Sequence, residues 1–174
     1  RCLNIPLFST TLHTYEFNKI AQRILEEFFA PRAIIHGSLV DVFGVGMLYI
    51  GDSNVGKSEC VLDLVESGHR MVADDVVHIS NVGRAIIGRP DPLIKHHMEI
   101  RGVGILDIRS MFGIHAIRKV KKIETIVELQ QWQRDGGYDR TGLNEQEEEI
   151  MGVKIPKVVI PVAPGKNLTV ISEV

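Results

Sequence analysis

An α/β domain built on a mixed sheet is the fold class this sequence predicts. Three observations point to it. Short segments rich in β-branched residues outnumber the helical ones. One apolar strand, Met47 to Ile50, runs directly into a glycine-rich loop and then a helix. The remaining segments do not alternate as a regular βαβ array would.

The elements follow in order. Phe17, Ile20, Ala21, Ile24, Leu25 and Phe28 recur at three- and four-residue spacing, which predicts an amphipathic helix over Thr11–Ala30, ended by Pro31. Ala33 to Phe43 reads as strand with a kink at Gly37, and Gly44-Val45-Gly46 turns the chain into the strand Met47–Ile50. After the loop, a helix runs from Lys57 to Ser67 and closes on Gly68. Strand follows over Arg70–Ala73, then the pair Asp74-Asp75, then strand to Ile79 with a hairpin turn at Ser80 to Gly83. Pro90 to Pro92 is a loop, and the glycines of "EIRGVGILDI" mark turns. Ile123–Leu129, Val153–Val162 and Leu168–Val174 read as strands, with a polar, glycine-rich loop over Trp132–Leu143. There are no internal repeats.

Composition narrows the class. The chain has 174 residues, 44% of them hydrophobic and 24% charged, as in ordinary globular domains. A net charge of -2 carries no basic field, so nucleic acid is not an expected partner. No apolar run is long enough to span a membrane. Cys2 and Cys60 form neither a metal spacing nor a disulfide framework, which suits a reducing cytoplasm. The chain opens on Arg1 and stops in strand-like sequence, so a piece of a longer protein is expected.

The stretch "GDSNVGKS" carries the strongest chemical signal. Gly51, Asp52, Ser53, Asn54, Val55, Gly56, Lys57 and Ser58 match G-x-x-x-x-G-K-[ST]. Glycines let backbone N–H groups turn inward on phosphate, and the following helix adds positive potential at its start. Lys57 can then reach the outer phosphates and the Ser58 hydroxyl can ligate Mg²⁺. An apolar strand before and Val61, Leu62 and Val65 after make a chance match the weaker reading.

Geometry places the acid pair near this loop. The helix climbs about 15 Å from the phosphate, and the following strand returns a similar distance. Asp74 and Asp75 thus arrive at phosphate height, where an apolar strand ending in acid often holds metal. If the pair continues the strand, its side chains point to opposite faces. A solvated turn is the plainer alternative. His36 precedes the loop strand, and a lone histidine is more often structural than catalytic. His96, His97 and Glu99 match no standard zinc spacing. Arg140, in "YDRTG", could clamp phosphate or simply be solvated.

Together, "HGSLVDVFGVG", "GDSNVGKSE", "GHRMVADD", "MEIRGVGILDI", "YDRTG" and "IPKVVIPVAPGKNL" resemble, in order, the catalytic domain of the HPr kinase/phosphorylase family. The resemblance implies a phosphoenolpyruvate carboxykinase-like fold. It also implies ATP and Mg²⁺ as cofactors, inorganic phosphate as co-substrate of the reverse reaction, the phosphocarrier protein HPr as partner, and a homohexamer. On this resemblance Lys57 and Ser58 serve ATP and magnesium, Glu99 is a second magnesium ligand, and Asp75 is the acid/base residue beside Asp74 and His36. Arg140 matches a catalytic arginine. Met98 to Asp107 match a segment used in both directions, and Pro161 to Lys166 one associated with dephosphorylation. Lys166 stands where arginine is common, and a lysine cannot grip phosphate bidentately. Residues 1–33 are then a linker and helix from a missing N-terminal domain, and 34–174 a catalytic domain without its C-terminal helices. The competing readings are a small-molecule kinase of the carboxykinase type and a nucleotide-binding regulatory module without transfer. The missing N-K-x-D motif disfavours a GTPase.

Overall fold

The computed structural model describes residues 5–132, 146–162 and 173. The chain divides into two compact units, residues 1–30 and 31–174.

The first unit contains α1, Thr14–Phe29, which carries the apolar stripe at the expected spacing; none of its residues is buried. It begins three residues later than the periodicity suggests, because His13 is extended (φ -61°, ψ 146°). Its end before Pro31 follows from the steric restriction that proline places on the residue before it.

The second unit opens with β1 (Arg32–His36), β2 (Ser38–Val42) and β3 (Val45–Gly51), followed by α2 (Lys57–Glu66). Then come β4 (Arg70–Ala73), β5 (Val76–Val82), β6 (Ala85–Pro90), β7 (His97–Ile100) and β8 (Gly104–Asp107). A short helix α3 (Ile108–Phe112), a 3-10 turn (Ile114–Ala116), β9 (Lys121–Lys122), β10 (Thr125–Gln131), β11 (Gln146–Ile150) and β12 (Val153–Val162) complete it. Six strands form a sheet in the order β11-β12-β10-β3-β2-β4, and four form another in the order β1-β5-β6-β9. In the larger sheet β10 runs parallel to β3 and β12, while the β2–β3, β2–β4 and β11–β12 pairs are antiparallel. The sheet is mixed, as its sequence suggests.

Period-two alternation sorts the core into two layers. Val40, Val42, Tyr49, Val127 and Leu129 pack with Cys60, Val61, Leu64 and Val65 of α2. Their strand neighbours Leu39, Leu48, Val72 and Ile126 pack instead with Val77, Ile79 and Ile86 of the second sheet. The larger sheet is therefore buried on both faces, by helix and by sheet.

The kink read at Gly37 is more than a kink. Residues on its two sides belong to different sheets: β1 pairs with β5, and β2 with β3 and β4. A Cβ at Gly37 would lie 2.5 Å from the Tyr49 carbonyl oxygen, so only glycine passes here. Other differences have local causes. β5 runs on to Val82 and the hairpin turns at Gly83-Arg84, two residues later than read. β6 went unread because Gly88 and Pro90 dilute its apolar pattern. β11, "QEEEI", has poor strand propensity; it is held by β12 and by Lys154–Glu147 and Lys157–Glu148 ion pairs. The loop read over Trp132–Leu143 and the strand read over Leu168–Val174 lie almost wholly outside the described residues. Among the described residues no helix is long and apolar enough to cross a membrane.

The acid pair is not continuous strand. It occupies the break between β4 and β5, where Val76 N–H donates to the Asp74 carbonyl (2.8 Å) across Asp75, whose φ is +63°. An i→i+2 bond with positive φ is the strained form of the γ-turn. Left-handed backbone costs a residue with a Cβ roughly 1–2 kcal/mol. Asp75→Gly should therefore be more stable than Asp75→Ala by about 1 kcal/mol, both variants lacking the carboxylate. Chemical denaturation of the two variants checks this, and equal midpoints would remove the strain.

Candidate active site

Strand β3 delivers the phosphate loop, and α2 leaves it. Gly51 (φ +139°) lies against β10, where a Cβ would come 2.3 Å from the Leu129 carbonyl oxygen. Asn54 has φ +71° and Gly56, the residue capping α2, φ +101°. The asparagine is therefore at a left-handed position, which its short polar side chain tolerates better than most. The Lys57 ammonium donates to the carbonyls of Gly51 (2.9 Å) and Asp52 (2.8 Å), folding across the mouth of the loop.

The returning strand β4 brings Asp74 to the start of α2. Ser58 Oγ donates to Asp74 Oδ2 at 2.9 Å, and Ser38 Oγ donates to Asp74 Oδ1 at 2.5 Å. Asp74 is buried and Asp75, one residue on, is exposed. Burial pushes the Asp74 carboxyl above its ordinary range. The hydrogen bonds from Ser38 and Ser58 pull it back, and the charge of Asp75 adds to the rise.

Ser53, Asn54, Gly56, Lys57 and Ser58 line one open cleft of about 330 Å³ together with Asp74, Asp75 and Glu99. Ser38, Glu59 and Arg101 also line it, three residues beyond those the motifs single out. Arg101 has a signal, since it falls inside "EIRG"; Ser38 has none beyond being the polar first residue of a buried strand. His36 ends β1 as an exposed residue opposite Val76 and does not line the cleft. Gly37 N–H donates to the Asp75 carbonyl (3.1 Å), so His36 is tied to the acid pair through the backbone. Arg140 and residues 163–166 lie outside the described residues. Asp107, at the end of the "EIRGVGILD" segment, caps α3 by accepting from Ser110 N–H and Oγ, which holds its carboxyl below the ordinary range.

The oxygen donors of the cleft suit magnesium. Ser58 supplies a hydroxyl and Glu99 a carboxylate, Asp74 stands hydrogen-bonded behind Ser58, and no soft ligand lines the space. No cluster of three His, Cys, Asp or Glu side chains capable of holding a metal occurs among the described residues. A hydroxyl and a carboxylate from the protein would leave the rest of a magnesium shell to waters and substrate phosphates.

The buried acid has a pH signature. A carboxyl whose folded pKa lies above the ordinary 3.8 contributes stability below that value and loses it as pH rises through the folded pKa. In metal-free protein, the stability of the parent relative to Asp74→Asn should be highest in acid and fall toward neutral pH. Denaturant melts of both proteins across that range check this; a pH-independent difference would count against it.

A family model described as the HPr Serine kinase C-terminal domain matches residues 27–174. The HPr kinase/phosphorylase of Leptospira biflexa is 48% identical over 172 residues, covering 97% of this chain and 53% of its own length. That of Chloroherpeton thalassium is 47% identical over 171 residues, covering 98% and 50%. The solved Hpr(Ser) kinase/phosphatase of Coxiella burnetii superposes with a TM-score of 0.75 at 29% identity, covering 81% of this chain and 86% of that one. The chain spans about half the length of the curated relatives it matches. With the phosphate loop, the Asp74–Ser58 contact and the mixed sheet in place, these matches identify the chain as a member of the HPr serine kinase C-terminal domain family.

Proposed function

We propose that this chain carries the catalytic site of a bifunctional, ATP-dependent protein-serine kinase and phosphorylase acting on the phosphocarrier protein HPr. The observation that carries this reading is the contrast between adjacent acids: Asp74 is buried on Ser58, and Asp75 is exposed in the same cleft. The names of the relatives, HPr kinase/phosphorylase, supply the substrate protein.

In this reading residues 51–58 cradle ATP, and Lys57 exchanges its two carbonyl contacts for the outer phosphates. Ser58 and Glu99 hold Mg²⁺, which when bound neutralises charge on the phosphate oxygens. In the forward direction the substrate serine oxygen attacks the γ phosphorus, the bond to ADP breaks, and Asp75 takes the hydroxyl proton. In the reverse direction inorganic phosphate attacks phosphoserine. The phosphorus–serine bond breaks, pyrophosphate forms, and protonated Asp75 returns its proton to the leaving oxygen. Asp74 and His36 tune this residue, and Arg140 is assigned the clamp on the transferring phosphoryl group. The proposed setting is cytoplasmic.

One variant tests the reading. In the full-length protein, Asp75→Asn should bind ATP with near-parental affinity. It should lose at least about 100-fold in rate, the lower range for a lost general base, in both labelled-ATP transfer to HPr and phosphorolysis of phosphoserine-HPr. Parental rate in either direction would move the acid/base role elsewhere. Assembly is tested separately: sedimentation of the full-length protein at micromolar concentration should give a hexamer, and a clean monomer would reject that part.

A further inference from the structure

We infer that Ser38 is a positioning residue for the cation that accompanies the phosphates, acting through Asp74. The inference rests on the reading proposed above, since it concerns the same cleft.

Ser38 opens β2 immediately after the glycine at which the chain changes sheets. Its side chain is fully buried, and it shares strand parity with Val40 and Val42, whose side chains pack against α2. A serine among valines on a buried strand face is an expensive choice unless its hydroxyl is used. It is used on Asp74: the Ser38 Oγ–Oδ1 separation of 2.5 Å is that of a charge-assisted bond. The other carboxylate oxygen accepts from Ser58 Oγ at 2.9 Å. Among the described residues no Lys, Arg or His pairs with Asp74, so two hydroxyls hold this buried charge, and the carboxylate borders the open cleft.

The arrangement has a direction. Asp74 accepts the hydrogen bond from the Ser58 hydroxyl, which leaves the Ser58 oxygen lone pairs available to a cation. Ser38 fixes Asp74 in the rotamer that does this. The backbone makes the same attachment one residue either side, with Gly37 N–H donating to the Asp75 carbonyl (3.1 Å). The Gly37-Ser38 corner therefore holds both acids, one through its main chain and one through its side chain.

The test is a calorimetric titration of Mg²⁺ into full-length protein saturated with a non-hydrolysable ATP analogue. It compares the parent, Ser38→Ala, Ser38→Cys, Asp74→Asn and the double variant Ser38→Ala/Asp74→Asn. Removing a hydrogen-bond partner of a metal-site group typically lowers metal affinity about tenfold or more. Ser38→Ala should show that loss, and the Mg²⁺ concentration for half-maximal transfer should rise more than kcat at saturating Mg²⁺ falls. Ser38→Cys nearly preserves volume but donates weakly, so it should lose affinity as well while keeping the fold. In the Asp74→Asn background the second substitution should add nothing, because the route through Asp74 is already cut. Parental Mg²⁺ affinity in a folded Ser38→Ala or Ser38→Cys protein would overturn the inference, as would additive effects in the double variant. Absence of Mg²⁺-dependent analogue binding in the parent would instead overturn the functional reading itself, and this inference with it.

Discussion

The site depends on one buried carboxylate. Asp74 draws together three segments distant in sequence: the break after β4 in which it lies, the start of β2 through Ser38, and the start of α2 through Ser58. Burying an ionised group with only neutral partners is unfavourable, and its raised pKa registers that cost. The compensation is geometric. Three elements that could otherwise slide are held so that a phosphate loop, a hydroxyl and an exposed second acid share one cleft.

That carboxylate can be reached because the larger sheet is covered on both faces. β2 shows how. Its Ser38, Val40 and Val42 face the α2 layer, and Leu39 and Asp41 lie on the other parity. Asp41 is buried as well, yet it is held differently: the Arg118 guanidinium pairs with it, and the Lys121 ammonium lies 4.0 Å away. Lys121 also donates to the Gly44 carbonyl (2.6 Å), and Glu124 accepts from Gly46 N–H (2.8 Å). These charges fasten the β2–β3 hairpin to the segment that contributes β9 to the second sheet. One strand thus carries two buried oxygen groups of opposite purpose. At the hairpin end the acid is neutralised by cations and ties the layers together. At the loop end the hydroxyl serves an acid whose charge borders the cleft.

How much of this was legible in the sequence follows from what each signal physically is. The strand–loop–helix conformation of residues 51–58 was legible, because the motif's spacing encodes backbone conformation and helix start in eight consecutive residues. The return of Asp74 and Asp75 to that height was legible from element lengths alone. Their conformation was not: flanking Val72, Ala73, Val76 and Val77 look like unbroken strand, and a single γ-turn leaves no compositional trace. The change of sheet at Gly37 looked like a kink, since a glycine required by a carbonyl in β3 is invisible without knowing that β3 lies there. Ser38 was illegible for the same reason, as its partner is 36 residues away. Glu99 was placed on family resemblance, and it does line the cleft. β11 was hidden by its acidic composition, which is stabilised only in cross-strand context.

The two adjacent aspartates show why local sequence cannot assign roles even where it locates the site. Their chemistry is identical and their separation is one residue. The turn at φ +63° decides between them. It sends Asp74 inward to two hydroxyls and leaves Asp75 exposed in the cleft. Strain of this kind persists only where surrounding structure enforces it. Here the enforcement is visible: the Val76 N–H closes the turn from one side and the Gly37 N–H holds the Asp75 carbonyl from the other. A carboxylate occupied by two internal donors is poorly placed to take a proton from an incoming hydroxyl, whereas an exposed one in the same cleft is well placed. The backbone, rather than the side-chain type, therefore separates the acid held by internal hydroxyls from the acid left exposed in the cleft.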